Sequence, residues 1–379
     1  MTRLPLEGIT VVSLEQAVAA PFASRQLADL GARVIKIERD AGDFARAYDT
    51  KVKGEASYFV WLNRGKESIQ LDLKTEQGMH ALKTLVSQAD VFIQNLAPGA
   101  IDRLGLSADE AMELSPRLIH VSISGYGQGG SYENKKAYDL LIQCETGLLS
   151  VTGTPETPSK VGISVADIAA GMYAFSGILA SLIQRGVTGR GDVLEVSMLE
   201  ALGEWMSQPY LYAEYGGTQQ PRTGAEHATI APYGPFATAD GTVFFAIQNE
   251  REWAKFCAGV LGDDSVATDE RFVTGSLRLQ NRVDLHARID EVFAALSMDD
   301  ALGRLDSAGI ANAQLRDMKH FSAHPQLAAR NRWREVATPG GDVRSLLPPV
   351  TARSYVPRME AVPRLGEHTA SVLGEFGLL

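Results

Sequence analysis

Ile9-Thr-Val-Val-Ser-Leu14, then Phe22 to Leu30, then Gly31, then Arg33-Val-Ile-Lys-Ile-Glu-Arg39: this succession decides the fold. The first run is β-branched and apolar. The second places Ala23, Leu27 and Leu30 on one helical face, Gly31 stops it, and the third alternates like a second strand. The rhythm continues with strand 68–73, helix 78–87, strand 90–94, helix 108–114 and strand 118–124. Strands alternating with helices predict an α/β domain built on a mostly parallel sheet, whose ligands sit at the carboxyl ends of the strands. From Tyr138 to Tyr215 the texture turns helical, with helices over 139–149 and 167–184 and a short strand at 192–197. The Gly/Gln/Pro-rich 216–221 reads as a linker. Beyond it, a hairpin turning at Asp240-Gly241 and three helices predict a smaller α+β domain over 222–325. The expected division is 1–215 with 330–379 as the large domain, 222–325 as the small one, and 216–221 and 326–329 as linkers.

Thirty-six Lys and Arg against 46 Asp and Glu leave a net charge of −10, which disfavours a nucleic-acid binder. Local cations can still hold a phosphorylated small molecule. The two cysteines, Cys144 and Cys257, are too few for a disulfide framework and read as small buried apolar residues. No signal-peptide core is expected at the N-terminus, and the longest apolar run, Met172–Ile183, is too short to span a bilayer. A soluble, cytoplasmic protein without metal or membrane partner is the expectation.

Gly125-Tyr-Gly127-Gln-Gly129-Gly130 satisfies G-x-G-x-x-G, but it follows a late strand and runs into polar residues instead of opening a helix. A flexible glycine loop is the better reading. No G-x-S-x-G elbow and no H-E-x-x-H pair is present. Asp167 stands where an irregular apolar stretch becomes a long apolar helix. It reads either as an N-cap or as a carboxylate kept ionised by the helix end and able to attack an acyl group. Arg39, Lys66, Arg103 and Lys136 lie near strand ends of one sheet, where a multiply phosphorylated ligand would meet them.

Nine segments in order carry a resemblance: Leu14–Pro21, Leu30–Arg39, Leu62-Asn-Arg-Gly-Lys66, Gln94-Asn-Leu-Ala-Pro-Gly-Ala100, Ser124–Gln128, Lys136-Ala-Tyr-Asp139, the Asp167 segment, Thr188-Gly-Arg-Gly-Asp192 and Val196-Ser-Met-Leu199. Together with Leu365-Gly-Glu-His-Thr369 they resemble the class III CoA-transferases over essentially the full length. The resemblance implies a large Rossmann-like domain, a small α+β domain, and a homodimer of two interlocked rings whose sites lie between the domains. It implies CoA and acyl-CoA as substrates, a small carboxylic acid as acceptor, and no permanently bound cofactor. Asp167 then matches the family nucleophile. By position, Ala17, Val18, Ala19, Arg39, Leu62, Lys66, Asn95, Leu96, Arg103, Lys136 and Met198 would meet CoA, with Arg39 and Lys66 on the nucleotide phosphates. Tyr138 stands where the racemase branch carries a histidine. A tyrosine is a poor base there, which favours transfer over an acyl-CoA racemase, and Asp167 argues against the other alternative, a non-catalytic CoA-binding homologue. Thr223–Pro235 lacks the glycine run by which formyl-CoA transferase shields its intermediates. The chain is more similar to the branch using succinyl-CoA with small dicarboxylates such as itaconate, mesaconate, malate or citramalate. Arg222 and His227 are candidates for the second carboxylate.

Overall fold

Six strands, β1 (Thr10–Leu14), β2 (Arg33–Glu38), β3 (Lys66–Gln70), β4 (Val91–Gln94), β5 (Ile119–Ser124) and β6 (Asp192–Ser197), form one sheet in the order β3-β2-β1-β4-β5-β6. Every pair is parallel, so the order reverses between β1 and β4. This is a computed structural model describing residues 3–379.

Alternate residues of each strand serve two cores. Val11, Val34, Val91, Ile93, Ile119 and Val121 pack against helices α1 (Ala19–Asp29), α5 (Val165–Thr188) and α6 (Met198–Trp205). Val12, Ile35, Ile37, Ile69 and Phe92 face the opposite layer, with α2 (Glu76–Ser87), α3 (Ala108–Leu114) and α10 (Thr369–Glu375). Coverage on both faces explains why these strands read as nearly continuous apolar runs. α4 (Asp139–Glu145) lies beside the start of α5.

β3 begins at Lys66, two residues before the expected strand, so that Val34 pairs with Lys66 and Ile37 with Ile69. α5 spans 24 residues and is long and apolar enough to cross a membrane by length and composition; Met172–Ile183 is only its middle. Here its Ala166, Ala169, Ala170, Ala174 and Ile178 are buried against the sheet layer. Gly171 allows that close packing, because a Cβ there would stand 2.6 Å from the Ala19 carbonyl oxygen.

The chain divides into two compact units. The first takes in the chain up to Leu148, Val161–Gln208 and Leu327–Leu379. The C-terminal segment thus returns to it, through a hairpin of β10 (Trp333–Val336) and β11 (Val343–Leu346) absent from the sequence reading. The second holds Pro209–Gln326 and also Leu149–Lys160, which the sequence reading gave to the larger domain. Its three-stranded antiparallel sheet, β7 (Tyr233–Ala237), β8 (Thr242–Ala246) and β9 (Ala311–Gln314), includes the expected hairpin. Phe236, Phe245, Trp253, Phe256 and Phe293 form its core with helices α7 (Glu250–Phe256), α8 (Arg282–Phe293) and α9 (Met298–Ala308). Cys257 is buried there, and burial pushes its thiol up to about 12; Cys144, expected inside, is exposed.

Candidate active site

The carboxyl ends of β1 to β4 open onto a cleft of about 600 Å³. Glu15 and Gln16 follow β1 into it, Arg39 to Asp43 follow β2, Leu71 to Lys74 follow β3, and Leu96 follows β4. This is the fork where the strand order reverses and where doubly wound sheets take their ligands. Arg39 lines the cleft, with one guanidinium nitrogen donating to the Gly42 carbonyl at 3.1 Å. The Asn95 side chain holds the Gln16 peptide by two bonds of 2.9 Å, and Ala17 follows at φ +62°. Val18 and Ala19 are buried, so they can offer only backbone to a ligand. Arg103 and Lys136 are exposed, and Met198 is buried in the core at the start of α6.

Two more of the expected contact residues are buried. Leu62 is wholly buried. Lys66 opens β3 at its amino end, its side chain is 0% exposed, and its ammonium donates to Glu15 Oε1 at 2.6 Å, Asn63 Oδ1 at 3.0 Å and the Pro21 carbonyl at 3.2 Å. Burial pushes its pKa down to about 7, with Glu15 opposing. A lysine held this way does not reach a phosphate. Lys74, exposed after the carboxyl end of β3, lines the cleft in its place with Leu71 and Leu73. The rule placing ligands at carboxyl ends points to these residues once β3 is set at 66–70.

Asp167 is the third residue of α5, not its cap. The cap position, Ser164, makes no side-chain capping bond, and the free N–H groups go to another residue. Asp139 Oδ1 accepts from Ala166 N–H at 2.7 Å and Asp167 N–H at 3.3 Å, while Gln143 Nε2 donates to Asp139 Oδ2 at 2.6 Å. Asp139 therefore takes the role expected of Asp167, and among the described residues the Asp167 carboxylate accepts no hydrogen bond. The expectation that the helix end keeps it ionised is reversed: burial, with the neighbouring Asp139 adding to it, raises Asp167 from 3.8 to about 7. The result is a half-buried carboxyl whose anion is more basic, and so more nucleophilic, than an ordinary carboxylate.

Aromatic side chains gather around it. Tyr58 Oη is 3.2 Å from Ser164 Oγ, and the Tyr48 ring meets Tyr58 edge-on at 5.7 Å. Burial raises the Tyr48 hydroxyl to about 12, with Asp43, Asp167, Tyr138 and Tyr58 all contributing. Tyr138 precedes α4 and is 68% exposed, so its phenol is open to a ligand. Sequence reading missed Tyr48, Tyr58 and the capping role of Asp139, because no spacing along the chain links residues 48, 58, 139 and 167.

Arg222 and His227 belong to the second unit. Arg222 donates to the Thr154 and Pro155 carbonyls at 2.8 and 2.7 Å, which fixes Leu149–Lys160 to the segment after the linker. His227 stacks on Tyr233 at 5.0 Å, and its Nδ1 accepts from Thr229 N–H at 3.2 Å, so the neutral ring carries its proton on Nε2. The segment lacking a glycine run is braced: Glu226 pairs with Arg282 at 3.3 Å and lies 3.5 Å from His286, and Arg282 donates to the His227 carbonyl at 2.6 Å. Among the described residues no cluster of His, Cys, Asp and Glu suits a metal ion.

The first unit thus combines a doubly wound parallel sheet, a cleft bordered by Arg39 and Lys74 at the carboxyl ends of its strands, and a half-buried carboxyl at the start of α5. The chain belongs to CoA-transferase family III, whose profile matches residues 6–369. It is 33% identical over 379 residues to the succinyl-CoA:glutarate CoA-transferase of Homo sapiens, covering 98% of this chain and 86% of that protein. It is 30% identical over 378 residues to the succinyl-CoA–D-citramalate CoA-transferase of Chloroflexus aurantiacus, covering 98% and 92%. The crystal structure of a CAIB/BAIF family protein from Brucella suis superposes with a TM-score of 0.87 at 33% identity, over 99% of this chain and 100% of that one. The protein is thus a family III CoA-transferase in class.

Proposed function

We propose that this enzyme moves CoA from succinyl-CoA to a small dicarboxylic acid, with Asp167 as nucleophile. The observation that carries the reading is the Asp167 carboxyl at the start of α5, free of hydrogen bonds among the described residues and raised to about 7. Its anion attacks the thioester carbonyl, the C–S bond breaks, and CoA leaves as the thiolate, giving a mixed anhydride. The thiolate then attacks the aspartyl carbon, which releases succinate and leaves an aspartyl-CoA thioester. The acceptor carboxylate displaces CoA from that thioester, and the thiolate finally attacks the acceptor carbonyl to regenerate Asp167. Each carboxylate expelled matches one consumed, so the thioester's energy is retained provided water is excluded.

The cleft cations Arg39 and Lys74, with Arg103 and Lys136, are assigned to the phosphates of CoA. His227, through Nε2–H, and Arg222 are the candidates for the second carboxylate, and Tyr138 is a further candidate for substrate contact. The names of the relatives make glutarate and citramalate the first acceptors to test, followed by itaconate, mesaconate and malate. The working form proposed is a cytoplasmic homodimer of interlocked rings, with no permanently bound cofactor.

The test is to incubate the protein with succinyl-CoA alone, treat with hydroxylamine or borohydride, and map the modified residue. A label on Asp167 that is lost in Asp167→Ala supports the mechanism. No adduct, with solvent deuterium entering the α-carbon of a 2-methylacyl-CoA, would replace it by racemisation.

A further inference from the structure

Each residue leaving the carboxyl end of β1 is tied to a different neighbour. Glu15 accepts from Lys66 at 2.6 Å and from Ser24 Oγ at 2.7 Å, and the Gln16 peptide is held by Asn95. The Ala17 N–H donates to Asp43 Oδ1 at 3.0 Å. Ala17 is one of three non-glycine residues with positive φ among the described residues, and the other two, Lys53 and Asn331, are exposed. An alanine in that region persists only where its surroundings hold it, since its Cβ crowds the backbone.

Asp43 is buried, and its carboxylate is fully committed. Oδ1 accepts from both Ala17 and Ala45 N–H, the latter at 2.9 Å, and Oδ2 accepts from Lys36 Nζ at 2.7 Å. Lys36 sits in the middle of β2 with no solvent exposure, and its ammonium also reaches Asn63 Oδ1 at 3.0 Å and lies 3.7 Å from Glu15. Burial acts to lower the Lys36 pKa, but Asp43, Glu15 and Glu38 together leave it raised. Glu38 Oε2 accepts from the Asp43 N–H at 2.9 Å and from Arg46 Nε at 2.8 Å, which fixes the backbone that carries Asp43. Well-packed apolar side chains could fill such a site at no loss of stability, so a buried ion pair needs another reason to be there. Here the pair aims a carboxylate at the turn bordering the cleft.

We propose that Asp43 is a positioning residue that holds Ala17 in the left-handed conformation, so that the turn after β1 keeps the shape to which the CoA portion of the substrate binds. The inference rests on the family III function proposed above. It assigns the clamp to CoA affinity and not to acyl capture on Asp167.

Two double variants test it without changing the net charge of the cluster. Lys36→Met with Asp43→Ala removes the acceptor for Ala17 N–H, and Lys36→Met with Asp43→Asn restores one. The probe is free CoA, measured by titration calorimetry, alongside the rate of Asp167 acylation at saturating succinyl-CoA. The Ala variant is expected to bind CoA about tenfold more weakly, the equivalent of one left-handed residue no longer held. The Asn variant should recover that loss, and the saturated rate should be the same in both. Equal affinity in the two variants, or a loss confined to the saturated rate, would overturn the proposal. A wild-type protein that binds no CoA would instead overturn the functional reading on which it stands. Should the Ala variant not fold, Asp43→Ser in the same background carries the comparison, since its hydroxyl is too short to span both N–H groups.

Discussion

Replacing Asp167 by Asn deletes a carboxyl that the fold holds at about 7 instead of 3.8, while keeping its size. A carboxyl with a higher pKa in the folded than in the unfolded chain binds its proton more tightly when folded. Its contribution to stability therefore falls as pH climbs from about 4 to about 7, and levels off above that. The shift of roughly three units, at about 1.4 kcal/mol each, makes the ionised carboxylate cost at most about 4 kcal/mol at pH 8, about 2 at pH 5 and under about 1 at pH 4. Because burial is the first cause and the Asp139 carboxylate the second, Asn escapes both. Asp167→Asn should be about as stable as the wild type at pH 4 and more stable by a few kcal/mol at pH 8. Urea unfolding of the ligand-free proteins at unit steps of pH measures the gap directly. A gap that stays constant between pH 4 and pH 8, or narrows as pH rises, would refute the reasoning. It would mean that the carboxylate is solvated or hydrogen-bonded in the folded protein.

The same pKa predicts that acylation of Asp167 by succinyl-CoA at a fixed subsaturating concentration rises through a midpoint near 7; a rate independent of pH from 5 to 9 would contradict it. Arg39→Ala and Lys74→Ala should each weaken CoA binding by about three- to thirtyfold and reduce its sensitivity to salt, read by calorimetry at two ionic strengths. Lys66→Met should behave differently, lowering unfolding stability by about 2–4 kcal/mol because the buried Glu15 loses its 2.6 Å ion pair and keeps only Ser24 Oγ and Lys36 at 3.7 Å, with the salt dependence of CoA binding unchanged. Gly171→Ala drives a methyl into the Ala19 carbonyl and should cost about 1–3 kcal/mol in urea unfolding. Gly203→Ala in α6, where a Cβ meets open space, should gain about 1 kcal/mol instead.

The α/β alternation, the hairpin at Asp240-Gly241 and the long apolar helix were legible because each rests on local periodicity or turn chemistry. The candidate nucleophile was legible as a carboxyl at the start of that helix, but its role there was inverted. Capping depends on which side chain reaches the N–H groups, and Asp139 does so from 28 residues away. Lys36 carried a signal that went unused. A lysine inside a strand of a parallel sheet covered on both faces must be buried and paired, so acidic partners such as Asp43 and Glu15 are required somewhere in the fold.

What the chain's residues determine on their own is the order of elements, the parallel sheet and the family, since all of these are written in short-range patterns and ordered motifs. Tertiary structure alone decided which charges are free to meet a ligand. Lys66 and Lys74 are indistinguishable as residues near a strand, yet one is sealed against Glu15 while the other stands at the cleft. It also decided the state of Asp167, because desolvation and a neighbouring carboxylate are properties of the packed environment and not of any window of sequence.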